Sequence, residues 1–545
     1  MNALLLFAIA FGISIVVIPL AARLALRVGL VDLPDARKVH AQPVPRVGGW
    51  GIVLGSLTPL LLVFGADPLV QSFVAGSVVL FLFGIWDDAR NINHWIKFAG
   101  QALAAGIVVY HGDLYVARVP FLEVTLPPAV GQPFTLVALI GVINALNHSD
   151  GLDGLAGGES MLSLIAYAVL GYRADSALMF GIAMATMGGV MGFLRYNGFP
   201  ARVFMGDCGS QALGFTLGVL AVYHTQRANV AVSAVLPLLV IGMPIADIVA
   251  VLYQRIRGGM HWFRASRNHV HHRLLQLGFE HYESVVIIYA IQALLVIGGF
   301  VLRFQADLLL AVLYLGVVGG LFTALTMAEH RGWRVSRGAT TELPVLRALW
   351  TLRHNARWRN VPALVVGVVT PAIIVIGALW TARVPRDVGY VAGVLAVIGA
   401  IGAVARRGSP AIGIMITRVI AYMATVFSAY LCIQFPGELQ GPVRWAALAI
   451  MALLALAIAV HIRYATEQPF GTNPTDYLII LGVIALALFG RGDADSHRMV
   501  ELVIYAIVLM YGCEVIVERG RQRGILLWAA AVALLVMFVR GAGWL

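Results

Sequence analysis

The chain is a succession of apolar runs, each near the roughly 20 residues that an α-helix needs to cross hydrocarbon. Two examples are ALLLFAIAFGISIVVIPLAARLAL at 3–26 and ALVVGVVTPAIIVIGALW at 363–380. With 60% hydrophobic and 12% charged residues, there is more apolar surface than a soluble core absorbs. Hydropathy predicts helices near 3–28, 47–66, 70–86, 94–111, 133–149, 155–172, 176–195, 211–226, 231–254, 284–303 and 307–328. Further spans follow near 362–381, 388–405, 410–434, 443–462, 475–490, 498–517 and 524–540. The fold class is therefore an all-α polytopic membrane protein, with about 11 helices before residue 330 and about 7 after it. The first run lacks a basic leader and is too long for a signal peptide, so it reads as a retained helix.

Three cysteines lie far apart and imply neither a disulfide framework nor a metal site. The net charge of +11 is loop charge in such a chain, not a nucleic-acid footprint. Alternating the spans gathers Arg46, Lys97, Arg202, Arg255 and Arg264 on one side, with the Arg-rich stretch from Arg331 to Arg359. The positive-inside rule makes that side cytoplasmic and places the N-terminus outside. Every acidic motif falls on the cytoplasmic side, where a water-soluble substrate is available.

Those motifs carry the chemistry. Carboxylates near hydrocarbon are costly and mark a functional site by default. Asp87 and Asp88 close the third run; a solvated terminus is the bland reading, but acids at a helix C-terminus oppose its dipole. Two adjacent carboxylates suit magnesium or proton abstraction. Asp150-Gly-Leu-Asp153-Gly puts two more on a glycine-rich turn, which could equally be plain helix punctuation. The segment from Asn197 to Ser210 offers an amide, the ring of Phe204 for stacking or packing, and Asp207 as a hard oxygen ligand. Three histidines at 269, 271 and 272 raise a zinc reading, but no acid or cysteine lies at the expected spacing. With Arg267 and Arg273 flanking them, an anion site fits better. Asp247 either pairs with a basic residue or positions the site. The alternating segment at 114–126 predicts a short external hairpin.

Together these residues resemble the polyprenyl-phosphate N-acetylhexosamine-1-phosphate transferase family. The matching segments are Asp32-x-Pro34-x-x-Arg37-Lys38-x-His40, Asp87-Asp88 with Lys97 and Gln101, and Asn144-x-x-Asn147-x-x-Asp150-Gly-x-Asp153. The Asn197–Ser210 loop and His269-x-His271-His272 complete the set, in the family's order across residues 1 to about 330. The His-x-His-His form resembles the N-acetylglucosamine-1-phosphate branch.

The resemblance implies transfer of an N-acetylhexosamine 1-phosphate from a UDP-sugar to undecaprenyl phosphate, releasing UMP, in the inner (plasma) membrane. It implies Mg2+ or Mn2+ as cofactor, held by Asp207 with Asp87 and Asp150 as further ligands. Asp87 and Asp88 would assist or deprotonate the lipid phosphate, and Lys97, His271 and His272 would face phosphates. Asp150, Asp153, Asn197 and Phe204 would form the uridine pocket. Asn147, Lys38, His269 and Arg267 would also bind substrate. Partners are then the UDP-sugar, undecaprenyl phosphate and membrane lipids, without nucleic acid, and a homodimer is compatible. The family pattern covers residues 1–330. A basic cytoplasmic connector at 331–361, with an interfacial helix or a plain linker after Pro344, leads to a helical membrane region at 362–545 of unassigned role. There Arg418 sits two turns into its span, where snorkelling would serve it. A transporter or lipid flippase is the competing class; acids clustered at one surface rather than the midplane favour an enzyme.

Overall fold

The structure is a computed structural model; it describes residues 3–33, 43–121, 124–259, 268–335, 361–405, 410–435, 442–464, 494–519 and 523–543. It is almost entirely helical. Among the described residues ten helices are long and apolar enough to cross a membrane, seven before residue 331 and three after 360. The chain is a multi-pass membrane protein. The predicted span at 475–490 and residues 336–360 of the connector lie outside the described residues.

In the first compact unit, α1 (Ala3–Val28) is followed by a small antiparallel pair, β1 (Val31–Asp32) and β2 (Val44–Pro45). Then come α2 (Gly48–Phe64), α3 (Pro68–Arg90), α4 (His94–Gly106), α5 (Pro128–Ser149), α6 (Leu155–Arg173), α7 (Ala177–Asn197) and α8 (Gly206–Tyr223). Both α4 and α8 run on into a π-helical turn, at Ile107–His111 and His224–Ala228. The unit closes with α9 (Leu236–Val240), α10 (Gly242–Arg257), α11 (Val270–Gln276), α12 (His281–Leu302) and α13 (Asp307–His330). Helices α1, α2 and α7 form one packed group, while α3 and α5 both lie against α8.

Local chemistry sets the ends that matter. Asp67 caps α3 by accepting from Leu69 N at 2.8 Å, and Pro68 starts the helix where its missing N–H costs nothing. The same helix stops at Asn91, in the left-handed region with φ 46°, whose N–H reaches the Asp87 carbonyl at 2.8 Å. That stop fixes Asp87 and Asp88 in the final turn.

The single span expected at 231–254 is broken instead, into α9 and α10 at Ile241. A break at membrane depth needs substitutes for the lost backbone bonds. Gln292 of α12 supplies them: its Nε2 donates to the Val240 carbonyl at 2.7 Å and its Oε1 accepts from Met243 N at 2.9 Å. Ser163 Oγ donates to the same Val240 carbonyl and Tyr314 to that of Gly242. The hairpin expected at 114–126 reduces, among the described residues, to one bridge between Arg118 and Thr125.

The second compact unit contains α14 (Val361–Trp380), α15 (Arg386–Ala405), α16 (Pro410–Gln434), α17 (Pro442–Tyr464), α18 (Ala494–Arg519) and α19 (Arg523–Gly541). Here Arg418 does not snorkel. Its Nη2 pairs with Glu514 Oε1 of α18 at 2.8 Å, and Tyr422 donates to the other carboxylate oxygen. A partner 96 residues away is invisible to a hydropathy reading.

Candidate active site

Close packing at glycine brings the acidic motifs together. A Cβ on Gly84 of α3 would lie 2.3 Å from the Cys208 Cα of α8, and one on Gly49 of α2 only 2.3 Å from Gly209 N. Only bare glycine backbone permits that approach. The end of α3 thereby meets the start of α8. Asp88 accepts from the backbone N–H of Asp207 at 2.9 Å and of Cys208 at 3.3 Å. It satisfies two of the amides that a helix start leaves open, and its charge suits that positive end. Gly206 makes the turn possible with φ +73°.

The neighbouring carboxylates converge on one ammonium. Lys97 Nζ of α4 lies 2.7 Å from Asp87 Oδ2 and 2.7 Å from Asp207 Oδ1. Asn147 of α5 donates to the same Asp207 oxygen at 2.5 Å and to Ser210 Oγ at 2.8 Å. Behind them an amide row, buried at Gln101 and Gln211 and half-buried at Asn144, fixes α4 to α5 and α8: Asn144 Nδ2 donates to Gln101 Oε1 at 2.7 Å, and Gln101 Nε2 to Gln211 Oε1 at 3.1 Å. Four helices thus hold one polar centre at the end of the bundle.

Beside it lies the turn from Asp150 to Gly154. Burial, and then the nearby carboxylates Asp207 and Asp88, push the Asp150 carboxyl up to about 7. Asp153 faces the next loop, where its Oδ2 accepts from Ala201 N at 2.8 Å, while its own N–H donates to His281 Nε2 at 3.1 Å. His281 also stacks on Phe199 with ring centroids 4.4 Å apart. Asn197 is buried, with both ends of its amide engaged: Oδ1 accepts from Gly154 N at 2.8 Å and Nδ2 donates to the Val203 carbonyl at 3.0 Å. Phe204 is half-buried on that loop, tied by its N–H to the Pro45 carbonyl at 2.9 Å.

The histidine segment closes the third side. Asp247 of α10 holds it twice, through His269 Nδ1 at 2.8 Å and Val270 N at 2.8 Å. Asp247 is thus paired with His269 and fixes the start of α11. His271 packs against the Asp150 turn so closely that a Cβ on Gly151 would stand 2.4 Å from its Nε2. Burial, reinforced by His272, drives its pKa down to about 3, so it is a neutral hydrogen-bonding group. Arg273 also departs from the anion-site expectation. It forks onto Glu329 of α13, Nε to Oε1 at 2.7 Å and Nη2 to Oε2 at 2.7 Å, with Thr326 as a third partner. That guanidinium is committed to holding α11 on α13.

Comparisons with known proteins identify the family. A family model described as glycosyl transferase family 4 matches residues 70–225. A Bacillus subtilis (strain 168) protein named "Probable undecaprenyl-phosphate N-acetylglucosaminyl 1-phosphate transferase" is 32% identical over 302 residues, 54% of this chain and 84% of its own length. The undecaprenyl-phosphate alpha-N-acetylglucosaminyl 1-phosphate transferase of Escherichia coli (strain K12) is 32% identical over 328 residues, 58% of this chain and 88% of its own. A Yersinia pestis protein of that name is 30% identical over 338 residues, 60% and 91% respectively. The chain belongs to glycosyl transferase family 4. The transporter or flippase alternative finds no support.

For this family 4 protein, the sequence-derived residues Asp87, Lys97, Asn147 and Asp207 meet directly, with Asp88 behind them; Asp150, Asp153, Asn197, Phe204, His269, His271 and His272 line the adjoining turns. Lys38 and Arg267 lie outside the described residues. Sequence reasoning missed the roles of Ser210 and His281 and the pairing of Arg46 with Asp32, which ties the residue after β2 to β1. His281 carried a usable signal, a lone imidazole at the first position of an apolar span.

A magnesium ion fits these donors in chemistry. Asp87 and Asp207 converge on a cation already, the Lys97 ammonium, and Asp150 is crowded by like charge that a cation would relieve. Among the described residues no three ligand side chains form a closed cage. Mg2+ does not need one, since it habitually takes one or two carboxylates and completes its shell with phosphate and water oxygens.

Proposed function

We propose that the protein transfers N-acetylglucosamine 1-phosphate, or that of a closely related N-acetylhexosamine, from its UDP-sugar to undecaprenyl phosphate. The observation that carries this is Lys97 held between Asp87 and Asp207, in a chain of family 4. The reaction joins a lipid phosphate oxygen to the β-phosphorus of the donor and breaks the bond to the α-phosphate, so UMP leaves. Charge then builds on phosphoryl and leaving oxygens, and its stabilisation dominates such transfers. Lys97 is the fixed positive charge for those oxygens, and Asp87 beside it takes the proton of the attacking lipid phosphate. His272 and neutral His271 contact phosphate oxygens. Asp153 and the Phe204 ring serve the uridine, with Asn197 holding their two loops together. Mg2+ bound by Asp207 and Asp87, with Asp150 alongside, would supply further neutralisation of phosphate charge. The Arg-rich loops support a cytoplasmic face for this site at the inner membrane.

Purified full-length protein given undecaprenyl phosphate, Mg2+ and a panel of UDP-sugars is expected to release UMP and form a lipid-diphosphate-linked sugar, N-acetylglucosamine giving the highest rate. Excess chelator should abolish both products. Movement of UDP-sugar across a vesicle without UMP release would point back to a transporter. A second expectation concerns Gly206. In Gly206→Ala the new methyl would lie 2.6 Å from Asp88 Oδ2 and the backbone would stay at φ +73°. The strain is about 1–2 kcal/mol, and the start of α8 shifts away from Asp88. UMP release should fall at least about tenfold while the protein still inserts; unchanged turnover would show that the reaction does not depend on the Asp88 cap.

A further inference from the structure

His148 takes no part in the chemistry assigned above, yet its surroundings are those of a substrate contact. It occupies the last turn of α5 between Asn147 and Ser149. Its helix neighbours Ala145, Leu146 and Ser149 are buried, but the His148 ring is exposed. The ring stacks on His269, centroids 5.6 Å apart and planes 22° from parallel. His269 in turn stacks on His271 at 5.6 Å and is locked by Asp247 at 2.8 Å. Four imidazoles therefore form a continuous row with His272, which lies 4.2 Å from His271. No hydrogen bond to either nitrogen of His148 is found among the described residues. Arg255 and Lys97 both lie within electrostatic reach of it, as does the Asp247 carboxylate that is already paired with His269. Metal binding is a poor account of the row, since no group of three ligands with suitable geometry exists among the described residues.

A ring held by stacking, with its nitrogens open and cations close by, is arranged to meet an anion. The stack on His269 removes rotamer freedom from His148 before any ligand arrives. Its place also chooses which anion. It adjoins Asn147, whose amide meets the Asp207 oxygen that Lys97 also holds, and it stacks on the histidine row assigned to phosphate. We propose that His148 is a specificity-determining contact for the nucleoside diphosphate sugar, hydrogen-bonding the phosphate that carries the sugar. This rests on the transferase reading of the site.

Three variants separate the nitrogen from the ring. His148→Phe keeps stacking area and loses the hydrogen bond; His148→Gln keeps a polar donor and loses the stack; His148→Ala loses both. The KM for UDP-N-acetylglucosamine is expected to rise about tenfold or more in the Phe and Ala variants and to stay within about threefold in the Gln variant. Direct binding of UMP, which lacks the second phosphate, and the KM for undecaprenyl phosphate should remain at wild-type values in all three. If Phe preserves the donor KM and Gln does not, His148 acts by stacking and the proposed hydrogen bond is wrong. A change in the acceptor KM alone would equally overturn it. Wild-type protein that releases no UMP from any donor would instead remove the transferase reading itself, whereas active wild type with three unaltered variants defeats only the role of His148.

Discussion

Asp207→Asn is expected to lower the rate of UMP release by about 10²–10³-fold, with little change in thermal stability. The substitution keeps the volume and an oxygen for Asn147, which now lies 2.5 Å away, and removes only the charge. Asp207 N–H still donates to Asp88, because that bond is made by backbone. What is lost is one of the two carboxylates that flank Lys97 at 2.7 Å and the foremost hard-oxygen candidate for Mg2+. A readout independent of turnover is available. Wild-type protein titrated with Mg2+ or Mn2+ should gain thermal stability by mass action, and the variant should gain much less. Near-normal turnover in the variant would show that Asp207 carries none of the reaction's charge stabilisation. A full metal-induced stabilisation with lost turnover would move the ion to Asp87 and Asp150.

The site was legible in sequence to the extent that its chemistry sits on the turns. Asp87, Asp150 and Asp207 each follow an apolar run, and the cost of placing acids there gives them away. Their mutual arrangement was not legible. Lys97 reaches Asp207 across 110 residues through the approach of α3 to α8 at Gly84, and hydropathy carries no information about which helices touch. Arg273 misled for the same reason: it looked like part of an anion site, but its partner Glu329 is 56 residues away on another helix. Helix positions followed from apolar length, whereas the break at Ile241 did not. That break depends on Gln292, a single polar residue inside an otherwise apolar span. The strands β1 and β2 have only two residues each, too few for any periodic signal.

Glu514→Ala should destabilise the second unit by about 3–5 kcal/mol. Arg418 lies eight residues into α16 and Glu514 five residues before the end of α18, so the pair sits about 12 Å and about 7.5 Å from those helix ends. Side-chain exposures of 20% and 13% leave little room for water to screen either charge. Removing the carboxylate strands a guanidinium that already has one nitrogen, Nε, without a hydrogen-bond partner among the described residues. It also deprives the Tyr422 hydroxyl of its acceptor. The cost is one of leaving a charge alone, and this separates it from a simple packing loss. Replacing both charges by hydrocarbon, in an Arg418→Met/Glu514→Leu double variant, should recover most of the stability, because an apolar pair needs no solvation at membrane depth. Thermal unfolding in the same lipid would read all three proteins. If the double variant is as unstable as Glu514→Ala, the pair contributes through specific geometry between α16 and α18. If Glu514→Ala unfolds like wild type, Arg418 finds water or lipid phosphate at that depth, and the ion pair does not hold the two helices together.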